Sequence, residues 1–174
     1  MHRFNLIISS SRFTEEEAQD EIMDLLEMFG DPESESEITE IKGIIVAQTA
    51  LDPFLVIDKL KDLVATEPWQ VRYVLRVLPI EAVVPTDLDA IREAAKELAI
   101  RIENDDTFRI TIEKRHSHIA SMDVINAIAR EIGSKVDLEN PDWVILVEIL
   151  GVQTGISIIE PDQMFSSVVE KRGE

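Results

Sequence analysis

The sequence predicts an α/β (α+β) protein of two units, and three observations support this prediction. Runs rich in Val, Ile and Leu are separated by amphipathic segments of helical period. Two prolines, Pro79 and Pro85, mark a connection between two sets of such segments. The 174 residues, 45% of them hydrophobic, suffice for two small cores. We expect domains at residues 1–78 and 79–169, followed by a frayed tail at 170–174.

The first unit is predicted to have the order strand, helix, strand, helix, strand. Its elements are a strand at Phe4–Ser9, a helix between Thr14 and Gly30, an extended segment at Glu40–Thr49, a helix capped by Asp52 and a strand at Val71–Leu78. Thr14 and Glu17 have the spacing of a capping box, and Pro53 suits a first helical position. Residues 31–37 are expected to form a solvated loop. This order favours a ferredoxin-like module with one hairpin strand poorly defined in residues 38–49.

The second unit is predicted to be a mixed sheet flanked by helices. Its elements, after a connection at residues 79–87, are a helix at Leu88–Ile102, a strand at Phe108–Lys114, a helix capped by Ser121 and ended by Gly133, and strands at Trp143–Leu150 and Gln153–Ile159. The run from Trp143 to Leu150 contains one charge, Glu148, which is typical of a strand covered on both faces. We therefore expect helices on both faces of this sheet.

The charge distribution bears on the choice of partner. A formal charge of −18 argues against a simple nucleic-acid-binding protein, which usually has a basic surface. However, twelve of the acids lie between Phe13 and Glu40, a stretch without Lys or Arg. Between Trp69 and Lys135, the sequence contains ten basic residues and eleven acidic ones. A local basic surface is therefore compatible with this sequence.

Several classes of protein are disfavoured by composition. The absence of cysteine excludes disulfides, thiol nucleophiles and thiolate metal sites. No apolar run reaches the ~20 residues of a membrane helix, so we expect a cytoplasmic protein with no membrane partner. The sequence also lacks the GxSxG, GxxxxGK(S/T) and GxGxxG motifs. His116 and His118 lack a third metal ligand. We therefore expect a non-catalytic chain without metal or cofactor.

A basic cluster is the strongest candidate site. It occupies the predicted strand at Phe108–Lys114 and the loop after it, which leads into a helix N-terminus where free backbone N–H groups bind anions. Contacts of this kind hold an RNA backbone without reading its sequence. The alternative is that these cations pair with nearby acids. The candidate RNA-binding residues are Arg72, Arg76, Arg109, Lys114, Arg115, His116, His118 and Ser121.

The sequence resembles the THUMP domain along its C-terminal half. The stretch VDLENPDWVILVEI, followed by TGISII, resembles the end of this domain, and the match includes polar positions such as Asp137, Asn140, Glu148 and Ser157. FRITIEKRHSH resembles its middle strand and loop, and VRYVLRVLPI resembles a preceding strand. The resemblance spans Val71–Ile159. More narrowly, the sequence is similar to stand-alone THUMP proteins that assist tRNA cytidine acetylation.

This resemblance implies a function without catalysis by the chain itself. It implies an adaptor that binds tRNA, including the acceptor end, and presents it to a separate RNA cytidine acetyltransferase that forms 4-acetylcytidine. DNA is not an expected partner, and acetyl-CoA and ATP would belong to the enzyme. The N-terminal part matches the family in pattern only, and its acidity departs from an RNA-binding surface. Two alternatives remain: a tRNA-binding module for another modification enzyme, and an acidic protein-interaction domain that binds no RNA.

Overall fold

The computed structural model describes Met1 and residues 3–172. The chain forms two units, one of Met1–Ile80 with Gln163–Glu174 and one of Glu81–Asp162. The predicted junction after residue 78 is close to the observed one, but the C-terminal residues belong to the first unit. None of the helices in the described part of the chain combines the length and hydrophobicity that crossing a membrane requires.

The first unit has the strand order of a ferredoxin-like module. Its elements are β1 (Leu6–Ser9), α1 (Glu15–Met28), β2 (Glu35–Ile38), β3 (Ile44–Gln48), α2 (Pro53–Thr66) and β4 (Arg76–Pro79). The strands lie in the order β4-β1-β3-β2, and every neighbouring pair is antiparallel. Apolar residues of α1 and α2, among them Ile22 and Leu60, pack with Leu6 and Ile8 of β1 in one buried cluster.

Of the two helix starts predicted in this unit, that of α2 is confirmed and the capping box of α1 is not. Asp52 caps α2, since its carboxylate accepts a hydrogen bond from the Phe54 amide at 2.9 Å, and Pro53 is the first helical residue. Thr14 occupies the N-cap of α1, but its side chain accepts no capping bond. Its hydroxyl donates instead to the carbonyl of Ser11 at 2.8 Å. The predicted capping box is therefore absent.

The solvated loop predicted at residues 31–37 is wrong at both ends. Glu35–Ile38 form the edge strand β2, which pairs with β3. Because an edge strand is partly exposed, β2 contains acidic residues and lacks the apolar pattern of a buried strand. Asp31 is buried, and its carboxylate accepts hydrogen bonds from the Thr49 hydroxyl at 2.6 Å and the Ala50 amide at 2.8 Å. The Thr49 hydrogen bond, followed by the Ala50 amide, lowers the pKa of Asp31.

The strand predicted at Val71–Leu78 begins only at Arg76. The preceding amides of Arg72, Tyr73 and Val74 donate to the carboxylate of Glu21 on α1, at 2.7, 3.0 and 2.7 Å. Amides used in this way are not available for strand pairing, so the regular ladder with β1 starts later.

The second unit is built on a mixed five-stranded sheet. Its elements are β5 (Ala82–Pro85), α3 (Leu88–Leu98), β6 (Thr107–Arg115), α4 (Ser121–Ala129), β7 (Lys135–Val136), β8 (Trp143–Leu150) and β9 (Gln153–Ile159). The order is β5-β9-β8-β6-β7, with β6 parallel to β7 and β8 and the other pairs antiparallel. The predicted mixed sheet is confirmed. The predicted connection at residues 79–87 contains the edge strand β5.

Both helices of the second unit pack on one face of its sheet. Ile91 of α3 and Val124 of α4 share a cluster with Ile145 and Val147 of β8. Val144, which points to the other face, is also buried. A continuous apolar run thus indicates that both faces are covered, but it does not require a helix on each. The prediction of helices on both faces is wrong for this unit.

The C-terminal residues complete the first unit. They form β10 (Phe165–Ser166) and α5 (Ser167–Arg172), and β10 pairs antiparallel with β4. Phe165 is fully buried in the core of that unit. The predicted assignment of residues up to 169 to the second domain is therefore wrong. The predicted tail at 170–174 is helical up to Arg172, and its last two residues lie outside the described chain.

Candidate nucleic-acid interface

The β6–α4 loop, residues 116–120, presents the exposed side chains of His116 and His118. It begins where the carbonyl of Arg115 accepts a hydrogen bond from the Gly151 amide at 2.8 Å. His116 then adopts a left-handed φ of 56°, which histidine tolerates better than most residues other than glycine, and the chain leaves the sheet. Neither histidine belongs to a group of three or more potential metal ligands within the described residues.

Lys114 supports this loop from the strand side. Its Nζ donates to the carbonyl of Ile119 at 2.9 Å, at the surface of the protein. An ammonium group has three donors, so two remain for a further ligand. Because the bonded partner is a neutral carbonyl, the positive charge of Lys114 is not neutralised by this contact.

The start of α4 differs from its prediction. Ala120, not Ser121, is the N-cap, and no side chain caps the helix. The amides of Asp123 and Val124 donate to the Ala120 carbonyl at 3.1 and 3.2 Å. The amides of Ser121 and Met122 have no hydrogen-bond partner among the described residues, so the first turn retains two donors for an anion. The carboxylate of Asp123 in the same turn opposes an anion there.

Arg115 fits the alternative interpretation, in which a cation of the cluster pairs with nearby acids. Its Nη1 donates to Oε2 of Glu148 at 3.0 Å, and its Nη2 donates to Glu113. Glu148 is fully buried, whereas the Arg115 side chain is 20% exposed. A buried carboxylate requires a cation of this kind. The guanidinium is therefore committed to the sheet, and we exclude Arg115 from the proposed RNA surface.

Arg109 is not brought together with Lys114 and the loop histidines. Side chains alternate along β6, so Arg109 and Lys114 point to opposite faces, about 16 Å apart along the strand. Nη1 of Arg109 donates to the carbonyl of Leu138 at 3.0 Å, and its Nε is buried without a described partner. The predicted single surface of Arg109, Lys114 and Arg115 is thus not observed. An RNA-binding role for Arg109 stays a prediction.

The opposite end of β6 carries acids. A cavity of about 580 Å³ is lined there by Asp106, Asp142 and Trp143, among others. Asp142 accepts hydrogen bonds from the amide and hydroxyl of Thr107 at the start of β6. These carboxylates repel a polyanion, so we expect RNA at the end of the strand near Lys114.

Arg72 and Arg76 belong to the first unit. Only Arg76 lies in β4, where it is half-buried. Arg72 is exposed, and its guanidinium lies 5.7 Å from the centre of the Tyr73 ring. Exposed Trp69 and Tyr73 were not considered in the sequence prediction. The signal that could have identified them is the alternation of aromatic and basic residues within Pro68–Ile80, which contains no acid.

Comparison with known proteins shows that part of the chain is similar to a described family. The family model "THUMP domain" matches residues 85–159. THUMP domain-containing protein 1 of Bos taurus is 31% identical over 115 residues, which cover 61% of this chain and 32% of the relative. An uncharacterized protein of Methanocaldococcus jannaschii is 29% identical over 144 residues, which cover 78% of this chain and 39% of the relative. The chain thus spans about a third to two fifths of the length of these relatives.

Solved structures share the fold at low identity. A Pyrococcus horikoshii protein aligns with a TM-score of 0.63 at 19% identity, over 91% of this chain and 55% of that chain. TrmN from Thermus thermophilus aligns with a TM-score of 0.63 at 18% identity, over 88% and 44%. A 4-thiouridine synthetase in complex with RNA and ATP aligns with a TM-score of 0.55 at 15% identity, over 94% and 42%. The residues that match the THUMP domain model, 85–159, include β6, the β6–α4 loop and α4, and this part of the chain is similar to THUMP domain-containing proteins.

Proposed function

We propose that this protein binds tRNA and presents it to a separate RNA cytidine acetyltransferase that forms 4-acetylcytidine. The observation that carries the proposal is the match of residues 85–159 to the THUMP domain, since this stretch contains Lys114 and the exposed loop histidines. Two proteins of similar fold support it: TrmN, and a 4-thiouridine synthetase whose structure was solved with bound RNA. The resemblance of VDLENPDWVILVEI to the acetylation adaptors supports the choice of enzyme.

The proposed RNA surface consists of Lys114, His116, His118 and the first turn of α4. Lys114 supplies a positive charge, and the amides of Ser121 and Met122 supply N–H donors. These groups contact phosphates and fix the position of the RNA without reading its bases. The acceptor end is the expected bound portion.

The chemistry is assigned to the partner enzyme. The chain lacks cysteine and the nucleotide-binding motifs that such a reaction would use, and we propose that acetyl-CoA and ATP bind the acetyltransferase. The role of this chain is then to hold the tRNA near the catalytic site of the enzyme, which raises the effective concentration of the substrate.

Reconstitution tests this division of labour. We expect the purified chain, incubated with tRNA, acetyl-CoA and ATP, to leave cytidine unmodified. Adding the acetyltransferase from the same source should produce 4-acetylcytidine, measured by mass spectrometry of digested tRNA, at a yield well above that of the enzyme alone. Acetylation by the highly purified chain alone would contradict the adaptor role. If the chain stimulated a different tRNA-modifying enzyme instead, that enzyme and not the acetyltransferase would be its partner.

Replacing Lys114 by alanine tests the surface itself. The loss of one phosphate contact should reduce the slope of log affinity for tRNA against log salt by roughly 0.7–0.9. Lys135→Ala is the matched control, because this substitution removes the same charge at the opposite end of β6. There, Lys135 of β7 lies opposite Thr107 in the strand register. We expect its salt slope to equal that of the parent, as measured by filter binding. Equal slopes for both variants would place the RNA surface elsewhere.

A further inference from the structure

A second feature of the first unit is suited to RNA. Residues 68–76, here called the aromatic segment, expose Trp69 by 65% and Tyr73 by 36%. The Arg72 guanidinium lies 5.7 Å from the centre of the Tyr73 ring, and both side chains are at the surface. The segment contains Arg76 as a second cation and no acid, in a chain where acids outnumber Lys and Arg by 35 to 17.

The aromatic segment is held firmly although only its last residue, Arg76, lies in a strand. The Glu21 carboxylate accepts hydrogen bonds from three consecutive amides, those of residues 72–74. Nζ of Lys171 donates to the carbonyl of Val71 at 2.7 Å. Val71 and Val74 are fully buried in the core of the first unit. Because these amides and the Val71 carbonyl are hydrogen-bonded and Val71 and Val74 are buried, the exposed side chains are presented from a fixed support.

This arrangement also removes an obstacle to RNA. Glu21 belongs to the acidic helix α1, and its charge alone would repel phosphate. Its two carboxylate oxygens are occupied by the three amides, whose partial positive charges offset the negative charge. The exposed residues of the segment, Trp69, Arg72 and Tyr73, are aromatic or cationic.

We propose that Trp69 and Tyr73 form a stacking platform for unpaired bases of the bound RNA, with Arg72 contacting the adjacent phosphate. This inference rests on the proposed function and adds a second contact region in the first unit. Unpaired bases stack on aromatic side chains and on Arg guanidinium planes, whereas bases within a duplex are not accessible to them. The platform would therefore take single-stranded nucleotides of a tRNA and would tolerate different bases.

The test compares tRNA binding by full-length variants. Trp69→Ala combined with Tyr73→Ala should weaken the affinity by about 30-fold or more, because stacking contributes about 5- to 150-fold for each base. The salt slope should stay that of the parent, since no charge is lost. Trp69→Phe with Tyr73→Phe should retain the parent affinity within about twofold, because both keep an aromatic face. Phe13→Ala is the control: Phe13 is 88% exposed and precedes the acidic first turn of α1.

The outcomes separate this inference from the proposed function. If the parent binds tRNA and the double alanine variant, folded by circular dichroism, binds equally well, the platform is refuted and the proposed function stands. If the double variant keeps its tRNA affinity but no longer supports modification by the enzyme, the two rings contact the protein partner, which also refutes the platform. If the parent itself does not bind tRNA, both proposals fail. Quenching of tryptophan emission by a single-stranded oligoadenylate, lost in Trp69→Phe, is the result expected from direct stacking.

Discussion

Replacing Arg115 by alanine is expected to lower the free energy of unfolding by about 3–5 kcal/mol. The reason is the position of its partner, since the Glu148 side chain is fully buried in β8 and its Oε2 accepts from Nη1 of Arg115 at 3.0 Å. Without the guanidinium, a charged carboxylate remains in a medium that solvates it poorly. Urea denaturation followed by circular dichroism measures the loss.

A matched variant separates this role from a general effect of charge. Arg130→Ala removes the same side chain from the exposed residue that follows α4, and we expect a change within about 0.5 kcal/mol. Arg115→Lys should fall between these two, because an ammonium group keeps the charge but cannot make the same fork of hydrogen bonds to Glu148 and Glu113. If Arg115→Ala were as stable as the parent while its tRNA affinity fell, Arg115 would be an RNA contact and not a structural one.

Replacing Phe165 by alanine is expected to cost about 3–5 kcal/mol of folding free energy. Phe165 lies in the two-residue strand β10, is fully buried, and packs in the same cluster as Leu6 and Val77 of the first unit. Its removal would leave a cavity among well-packed side chains. The effect is measured by urea denaturation, as for Arg115.

Val169→Ala is the control for Phe165, because Val169 belongs to α5 and is 61% exposed. We expect its stability to stay within about 0.5 kcal/mol of the parent. A loss of less than about 1 kcal/mol for Phe165→Ala would contradict the assignment of the C-terminal residues to the core of the first unit.

Local signals predicted the elements that are long and buried. The run Trp143–Leu150 and the alternation at Phe108–Lys114 correspond to β8 and β6, because burial requires an apolar pattern along the strand itself. The cap of α2 was also predicted from a local signal, because Asp52 and the Phe54 amide that it binds are close in sequence.

Short edge strands could not be predicted from their own residues. β2, β5 and β10 have two to four residues each, and pairing with a neighbouring strand defines them. β2 is half acidic, and β5 contains the proline that indicated a connection. The return of Phe165 to the first unit depends on pairing with β4, which lies far away in sequence.

The candidate site was predicted only in part, because its side chains have distant partners. Arg115 has a charge and a position that suit a phosphate contact, but its partner Glu148 is 33 residues away. Glu21 binds amides more than 50 residues later and thereby fixes the aromatic segment. Lys114 and the two loop histidines, which are exposed, remain in the proposed surface.

The measurement that tests the central proposal most directly is the binding of bulk tRNA by the parent protein over a range of salt concentrations. We predict saturable binding whose affinity falls linearly with log salt, with a slope that corresponds to several phosphate contacts at roughly 0.7–0.9 per contact. The strong negative charge of the chain, −18, argues against a non-specific electrostatic origin of such binding. No binding at low salt by the folded protein would contradict the proposal and favour an acidic protein-interaction domain.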